Sequence, residues 1–336
     1  MADTTFTHSP PTGRVLALCG GVGGAKLARG LNAILPNPGQ LVLAVNTGDD
    51  FEHLGLTICP DLDSVLYGLA GKNDEVRGWG RANETWHCME ALKEIGGADW
   101  FALGDRDLAI HIERSHLLRS GLTLGQVTAR FCEQLGVPAQ MIPMTNDPVR
   151  TIVKTEEGDL AFQDYFVRRR TEPKVTGIKY AGADVARPHP VLMDCLADDT
   201  LEAVIICPSN PQLSIDPILA LPGVRQALCD VRAPVIVVSP LIGGRAVKGP
   251  AAKIMAELQI SVDSSGIAQT YLDLLDALVI DSEDAADARH LPVPALVTPT
   301  LMRSLEDSAR LASRTLAFAQ SLRQDASTSS HMAAGR

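Results

Sequence analysis

Glycines crowd the end of the first buried apolar run, in the segment GGVGGAK. Gly20, Gly21, Gly23 and Gly24 precede Lys26 there, and an amphipathic pattern follows. Glycines let backbone N–H groups approach an anion, and the positive end of a following helix adds attraction. The segment therefore predicts a phosphate-binding loop, although a tight structural turn would use the same glycines. Its spacing fits neither the Walker pattern nor the dinucleotide fingerprint.

Carboxylates follow the second apolar run, in NTGDD and then CPDLD. They are Asp49, Asp50, Asp61 and Asp63, and Asn46 opens the first turn. Hard oxygen ligands of this kind suit Mg²⁺, which takes one or two carboxylates together with substrate phosphates. Capping of the next helix is the alternative interpretation, most directly for Asp61. We expect the Asp50 and Asp63 pair to contact a metal or ligand.

Two further segments, GWGRANET and LGDRD, combine aromatic and cationic side chains with turn residues. Trp79 lies between two glycines, which suits either stacking on a planar ring or a buried anchor. Arg106 would bind phosphate oxygens in a bidentate fork, or form a surface ion pair with the aspartates beside it. Arg81 belongs to the Trp79 segment. His111 follows one turn later, where a structural role is the commoner one.

Small polar residues end two later apolar runs. Ser209 and Asn210 follow one run, and Gly249 and Pro250 precede a helical pattern beyond another. Their side chains and free N–H groups suit ribose, a base edge or phosphate oxygens.

The elements that must position these residues are short apolar runs rich in β-branched residues. Such runs are typical of strands buried on both faces of a parallel sheet. They are Arg14–Cys19, Leu41–Val45, Ala203–Cys207, Pro234–Val238 and Ala277–Ile280. Helical patterns such as Lys26–Leu35 and Leu301–Leu322 follow, so we predict a Rossmann-like, doubly wound α/β fold in three layers. Ligands bind such sheets beyond the carboxyl ends of the strands, where the segments above would meet.

The chain divides into a core and a small insertion. Residues 13–149 and 191–322 form the predicted nucleotide-binding core. Residues 150–190 contain two alternating runs around Glu-Gly-Asp, which predicts a β-containing cap. Residues 1–12 and 323–336 are polar tails that we predict to be disordered.

Composition excludes several classes of function. The 336 residues carry a net charge of −10, and aromatic residues make up 4%. An acidic chain with few aromatics is a poor nucleic-acid binder. It has no signal peptide and no apolar run long enough to cross a membrane, so we expect a cytoplasmic protein. Its seven cysteines lack the spacing of a zinc site or disulfide framework and are expected to be buried thiols.

The chemistry that remains is group transfer from a phosphoanhydride. The sequence shows no nucleophile elbow and no Ser-His-Asp arrangement. Glycines, carboxylates and an arginine position reactants and neutralise charge, which is what phosphoryl-type transfer requires. The residues predict a Mg²⁺-dependent enzyme acting on a nucleotide diphosphate-type donor. A non-catalytic nucleotide sensor would use the same glycines, and the missing third glycine weakens a nicotinamide dehydrogenase.

Nine segments in order resemble the 2-phospho-L-lactate transferase family of coenzyme F420 biosynthesis. The resemblance runs from about residue 14 to 320. It is carried by GGVGGAKLARGL, VNTGDDFEHLGLTICPDLDSVLYGL, RGWGRANETW, LGDRDLAIHI, IPMTNDPVRTIV, FQDYFVRRR, CPSNPQLSIDPIL, VVSPLIGGRAVKGPAAK and TPTLM.

The resemblance implies a phosphotransferase that forms a phosphodiester, and a homodimer. Such an enzyme moves 2-phospholactate, phosphoenolpyruvate or 3-phosphoglycerate from a GDP-linked donor to the ribityl hydroxyl of the deazaflavin Fo, releasing GMP. It also implies Mg²⁺ as cofactor, with Asp50 and Asp63 near metal and Fo and Asp49 as a third ligand.

The same resemblance assigns the binding residues. The loop 20–26, Ser209, Asn210, Gly249 and Pro250 would hold the donor, with Asn46 beside them. Arg106 and the segment from Trp79 to Arg81 would line the acceptor side.

The alternative is a non-catalytic regulator of the same superfamily that binds UDP-sugars. Its acidic pair is followed by a glycine- and serine-rich segment, whereas this chain continues as DDFEHLGLTICPDLD. That difference favours the enzyme.

Overall fold

Fourteen strands are formed in the computed structural model, which describes residues 13–37, 39–247 and 249–334, with side chains to residue 324. In chain order they are β1 (Val15–Cys19), β2 (Leu41–Val45), β3 (Phe51–His53), β4 (Leu56–Ile58), β5 (Gln140–Pro143), β6 (Arg150–Thr155), β7 (Gly158–Ala161), β8 (Val175–Ala181), β9 (Ala203–Ile206), β10 (Val235–Val238), β11 (Leu241–Ile242), β12 (Arg245–Ala246), β13 (Ala277–Ile280) and β14 (Ala295–Val297).

Helices alternate with these strands. In the described part of the chain they are α1 (Gly21–Ile34), α2 (Pro60–Leu69), α3 (His87–Glu94), α4 (Asp105–Arg119), α5 (Leu124–Gln134), α6 (Pro190–Leu196), α7 (Asp216–Leu219), α8 (Val224–Asp230), α9 (Ala251–Glu257), α10 (Ser264–Thr270) and α11 (Leu305–Ala334). Short π-helical turns lie at Asp164–Arg168 and Pro211–Ile215, and 3-10 turns at Ser282–Asp284 and Asp287–Arg289.

Seven strands make one parallel sheet in the order β14-β13-β10-β9-β1-β2-β5. Val15 of β1 aligns with Leu41 of β2 on one side and with Ala203 of β9 on the other. The chain builds outward from β1 to β5, then returns and builds outward from β9 on the opposite side. A crevice therefore opens between the carboxyl ends of β1 and β9, the switch point at which such sheets bind ligands.

Alternate residues of the central strands enter two separate apolar layers. On β1, Val15 and Ala17 face one layer while Leu16 and Leu18 face the other, and all four are fully buried. Helices cover both faces, as the apolar runs require. The predicted parallel, Rossmann-like α/β fold is confirmed.

The segment 150–190 carries its own antiparallel sheet in the order β7-β6-β8. A hairpin joins β6 to β7 through the Glu-Gly-Asp segment. Tyr165 and Val153 of this segment pack with Leu213 and Ile254 in a third small apolar cluster. This cluster fixes the three-stranded sheet, called the cap below, to the end of the main sheet that bears the crevice.

The chain ends and the cysteines depart in part from what the sequence predicts. Residues 1–12, predicted as a disordered tail, lie outside the described residues, whereas α11 runs through 323–334 to Ala334. Cys88 and Cys229 are exposed, contrary to the expectation of burial, and the other five thiols are buried. Among the residues described, no helix combines the length and apolarity needed to cross a bilayer.

Candidate functional site

A cavity of 730 Å³ lies at the crevice between β1 and β9 and extends beneath the cap. It brings together thirteen of the residues that the sequence singled out. They are Gly20, Gly21, Gly23, Lys26, Asp49, Asp61, Asp63, Trp79, His111, Ser209, Asn210, Gly249 and Pro250.

The glycine segment is itself the first turn of α1, which begins at Gly21 and not near Lys26 as predicted. A Cβ on Gly23 would lie 2.2 Å from the backbone oxygen of Pro208, so only glycine fits between α1 and the loop after β9. Ser209 ties the two loops, since its Oγ donates to Gly20 O at 2.9 Å. The glycines thus permit close packing, and the same turn presents the positive end of α1 to the cavity.

Asp61 anchors this turn and does not cap its own helix α2. Its Oδ1 accepts the N–H of Gly21 at 2.5 Å, and its Oδ2 accepts Nδ2 of Asn46 at 2.9 Å. Asn46 also donates to the carbonyl of Leu213 at 3.1 Å. One buried carboxylate therefore joins the loops after β1, β2 and β9.

Asp49 and Asp50 are both buried but face different surroundings. Asp49 lines the cavity, and burial, with the nearby charges of Asp61 and Asp50, raises its pKa well above the ordinary value. Burial raises the pKa of Asp50 to about 7, against the opposing charge of Arg150. Burial likewise raises the pKa of Asp61. Burial is the largest cause of the raised pKa in all three carboxyl groups, so the cluster disfavours their charged form.

Asp63 is held by Arg114 of α4. Both carboxylate oxygens of Asp63 accept hydrogen bonds from the guanidinium, from Nη1 at 3.0 Å and from Nη2, and both side chains are buried. Nη1 also lies 3.2 Å from Nδ1 of His111. Because arginine only donates, this contact is a hydrogen bond in the tautomer in which Nδ1 of His111 accepts and the proton lies on Nε2.

A chain of contacts continues from His111 and returns to α2, the helix that also carries Asp63. Nε2 of His111 lies 3.4 Å from Oδ2 of Asp107, and Oδ1 of Asp107 accepts the hydroxyl of Tyr67 at 2.5 Å. Burial raises the pKa of Asp107, but the contacts with His111 and Tyr67 outweigh it, and the net pKa is lowered. Asp107, His111 and Arg114 lie at spacings of four and three on one face of α4.

The cap and the segment between α3 and α4 supply an aromatic wall. Phe162 and Phe166 stack with ring centres 5.4 Å apart, and both line the cavity. Trp100 and Phe101 line it as well, with ring centres 5.7 Å apart. This wall provides flat apolar surface opposite the polar strand ends.

The segment after α2 forms another wall. Gly78 and Gly80 have φ of +74° and +71°, a conformation that glycine adopts without strain, and they expose Trp79 to the cavity. Trp79 is 48% exposed, as a stacking surface requires. Arg77 lies beside it with its guanidinium 4.8 Å from the Trp86 ring centre.

Five residues singled out from the sequence are not among those that line the cavity: Gly24, Asn46, Asp50, Arg81 and Arg106. Gly24 and Asn46 support the loops from behind. Asp50 turns towards Arg150 and Cys59. Arg81 packs over the Tyr67 ring and donates to the carbonyl of Arg106 at 3.2 Å.

Arg106 is exposed at the start of α4, outside the cavity. Its expected surface pair with the flanking aspartates also differs from what is formed. Asp105 accepts the N–H groups of His87 and Cys88, and Asp107 accepts the hydroxyl of Tyr67. Arg114, which the sequence analysis did not single out, is the arginine that contacts the acidic cluster.

Other cavity residues were missed. Phe162, Phe166 and Thr300 lie in FQDYFVRRR and TPTLM, segments that carried the resemblance without any side chain being assigned. Arg77 lies two residues before Trp79, and Asp107 one residue after Arg106. The cap brings Phe162 and Phe166 to the cavity, and the packing of α4 brings Asp107.

The acidic cluster fits a divalent cation. Its donors are all carboxylate oxygens, and Oδ1 of Asp50 is buried with no hydrogen-bond partner within the described ranges. Asp49 and Asp61 both line the cavity, and burial raises the pKa of both carboxyl groups. Asp63 is less suited, since Arg114 already neutralises it. Asp63, Asp107 and His111 also offer ligand atoms within 4.8 Å of one another, but Arg114 lies against that trio.

Known proteins resemble this chain along nearly its whole length. The model of the family described as 2-phospho-L-lactate transferase CofD matches residues 15–292. A phosphoenolpyruvate transferase of Kitasatospora aureofaciens is 39% identical over 92% of this chain and 99% of its own length. A 2-phospho-L-lactate transferase of Methanosarcina mazei is 40% identical over 89% of this chain and 98% of its own.

A solved structure supports the fold independently. A Bacillus halodurans protein of the UPF0052 family aligns with a TM-score of 0.59, covering 92% of this chain and 99% of that one. At 14% identity this likeness concerns the fold alone. The resemblance inferred from nine sequence segments is confirmed by the family match and by the transferase relatives: the chain belongs to the 2-phospho-L-lactate transferase family.

Proposed function

We propose that this chain transfers a phospho-acyl unit from a GDP-linked donor to the terminal ribityl hydroxyl of the deazaflavin Fo. The observation that carries the proposal is the single cavity in which the positive end of α1, an acidic cluster and an aromatic wall meet. Relatives named for two transferred acids, phosphoenolpyruvate and 2-phospho-L-lactate, support the reaction class. The family membership disfavours the UDP-sugar-binding regulator.

The donor's diphosphate would lie against the first turn of α1. The N–H groups of a helix's first turn have no partners within the helix and attract anions. Lys26 lies one turn further along α1 and also lines the cavity. Ser209 and Asn210 would contact the nucleoside side of the donor, from the loop after β9.

The reaction forms one bond and breaks one. The ribityl oxygen of Fo bonds to the phosphorus that carries the acyl unit, and the bond from that phosphorus to the oxygen of GMP breaks. The hydroxyl proton leaves and GMP departs with the electron pair. The chain's role is to align the attacking and leaving oxygens and to neutralise charge.

Mg²⁺ belongs to the proposal, held by Asp49 with Asp61. When bound, it would offset the negative charge of the diphosphate. Asn46 would orient Asp61, and Arg114 would hold Asp63 in place beside the acceptor. The assignment differs from the sequence expectation, in which Asp50 and Asp63 were the main ligands. Asp50 would influence the site through its charge, from behind the loop.

The acceptor's planar ring would lie against the aromatic wall. Phe162 and Phe166 of the cap and Trp79 of the opposite segment offer stacking surfaces. Aromatic stacking suits a flat heterocycle and leaves the ribityl chain directed to the acidic cluster. The homodimer implied by the resemblance and the cytoplasmic location expected from the sequence are likewise part of the proposal.

A turnover assay tests the function. The chain is incubated with Fo, Mg²⁺ and each GDP-linked acid in turn, and products are read by mass spectrometry. We expect Fo joined to one phospho-acid through a phosphodiester, with GMP released. The donor that reacts identifies the acid, which nearly equal identities to two kinds of transferase do not distinguish. No product with any donor, together with tight binding of a UDP-sugar, would favour the regulator.

A further inference from the structure

The cavity wall is poor in positive charge. Within the described ranges, Lys26 and Arg77 are the lysine and arginine side chains that line the cavity. Four aspartates share the cavity: Asp49, Asp61, Asp63 and Asp107. A donor with a diphosphate and a carboxylate must place two kinds of anionic group here.

Lys26 belongs to the phosphate end. It lies on α1, and its Nζ donates to the carbonyl of Met302 at 2.7 Å, which fixes it beside the first turn of that helix. The diphosphate is thus matched by the α1 terminus and Lys26. The carboxylate of the transferred acid still requires a partner.

Arg77 is positioned to be that partner. Its guanidinium lies over two indole rings, 4.8 Å from the centre of Trp86 and 5.7 Å from that of Trp79. Nε lies 3.7 Å from Oδ2 of Asp74, and Asp74 Oδ1 accepts the backbone N–H of Arg77 at 2.8 Å. The two indole rings therefore hold the planar guanidinium by its flat faces, and Asp74 holds it on its Nε side.

The outer edge of the same guanidinium is open. Across the residues that the structure describes, neither Nη nitrogen of Arg77 has a hydrogen-bond partner, and the side chain is 33% exposed. Two parallel Nη–H groups match the two oxygens of a carboxylate. Lysine at this position would offer charge without that fork.

We infer that Arg77 is the specificity-determining residue that binds the carboxylate of the transferred phospho-acid. The inference rests on the proposed function and assigns to one residue the recognition that the sequence analysis left open. It also gives the segment between α2 and α3 a purpose: the Gly78 and Gly80 turns and the two indole rings hold Arg77 against the cavity.

The test compares two donors that differ only at the carboxylate. One is the GDP-linked acid that the turnover assay identifies. The other carries a methyl group in place of the carboxylate, which makes it isopropyl for a lactyl donor and isopropenyl for an enolpyruvyl donor. The values of kcat/KM for both donors are measured with wild type, Arg77→Met, Arg77→Lys and, as a control, Arg29→Met. Arg29 binds Glu75 of the same segment and is not among the residues that line the cavity.

We expect Arg77→Met to lower kcat/KM for the carboxylate donor about 100-fold, as loss of a charge-assisted pair requires. The kcat/KM for the methyl donor should change by less than about 3-fold, as for a surface substitution. Arg77→Lys should fall between, at a loss of about 10-fold. Arg29→Met should keep the wild-type ratio of the two donors.

Two results would overturn the inference. An equal loss with both donors would mean that Arg77 acts on the shared diphosphate or on folding, and melting temperatures would separate these. An unchanged donor ratio in both Arg77 variants would remove Arg77 from recognition. In either case a wild-type protein that turns over the carboxylate donor keeps the proposed function, whereas its failure to do so would refute that function itself.

Discussion

Substitution of Arg114 by methionine is the sharpest perturbation of the acidic cluster. Arg114 and Asp63 are 2% and 5% exposed, and the guanidinium binds both carboxylate oxygens. Arg114→Met leaves Asp63 buried without its charge partner, while the carboxylates of Asp49, Asp50 and Asp61 lie in the same cluster. Breaking a buried pair on one side costs about 3–5 kcal/mol.

That cost can be read in a melting experiment. A chain of 336 residues has an unfolding entropy of about 0.7 kcal/mol/K, so Arg114→Met should lower Tm by about 4–7 °C. Arg232→Met is the matched control, because Arg232 and Asp199 pair at 3.2 Å with side chains 79% and 72% exposed. Such a surface pair contributes at most about 1 kcal/mol.

The double variant separates charge from packing. Asp63→Asn added to Arg114→Met removes the unpaired carboxylate, so it should restore part of the lost stability. Urea unfolding of the four proteins in this cycle measures the coupling. Two results would rule out a buried, unpaired Asp63 as the cause: Arg114→Met losing no more stability than Arg232→Met, or Asp63→Asn making the Arg114→Met protein still less stable.

Three further predictions address other parts of the chain. Gly23→Ala places a Cβ 2.2 Å from the Pro208 carbonyl oxygen, so it should lower the free energy of unfolding by about 1–3 kcal/mol and weaken donor binding. In the control Gly177→Ala the nearest atom to the new Cβ is 3.6 Å away, so calorimetry should show no change in stability or donor binding. Burial raises the pKa of Asp216 to about 7. The contribution of Asp216 to the free energy of unfolding is therefore fully present below about pH 4 and is lost as the pH rises through about 7. Asp216→Asn should therefore gain stability over wild type near pH 8 and gain none near about pH 4 in urea titrations; equal differences at both would contradict this. Phe166→Ala removes one ring of the stacked pair and should raise the KM for Fo about 10-fold with an unchanged donor KM, while equal effects on both substrates would place Phe166 elsewhere.

The sheet was predictable because its strands carry their signal locally. Val15–Cys19, Leu41–Val45 and Ala277–Ile280 are continuous apolar runs, and each forms a strand within one residue of its predicted bounds. The start of α1 was placed about five residues late, because glycines lower helix propensity and the packing of Gly23 against Pro208 outweighs it. The helical course of residues 323–334 was missed for a similar reason, since their small polar composition is typical of a tail.

The site was predictable in part. Gly21, Asp49 and Ser209 lie within four residues of the end of a strand. They line the cavity because the carboxyl ends of parallel strands lie at one edge of the sheet. Spacing cannot tell which of two adjacent aspartates faces inward, and Asp50 was preferred where Asp49 lines the cavity. Arg106 was preferred over Arg114 because it stood in a motif, while the helical face that carries Arg114 to Asp63 appears only on packing.

We expect this cavity, through its acidic cluster, to perform the transfer. The decisive measurement is of Fo-linked phosphodiester and GMP in one reaction with wild type and with Asp49→Asn. Wild type should give equal amounts of the two products. Asp49→Asn should lose at least about 100-fold in turnover, as for removal of one transition-state charge contact, while the melting temperature does not fall. No product with wild type, or wild-type turnover by Asp49→Asn, would contradict this expectation.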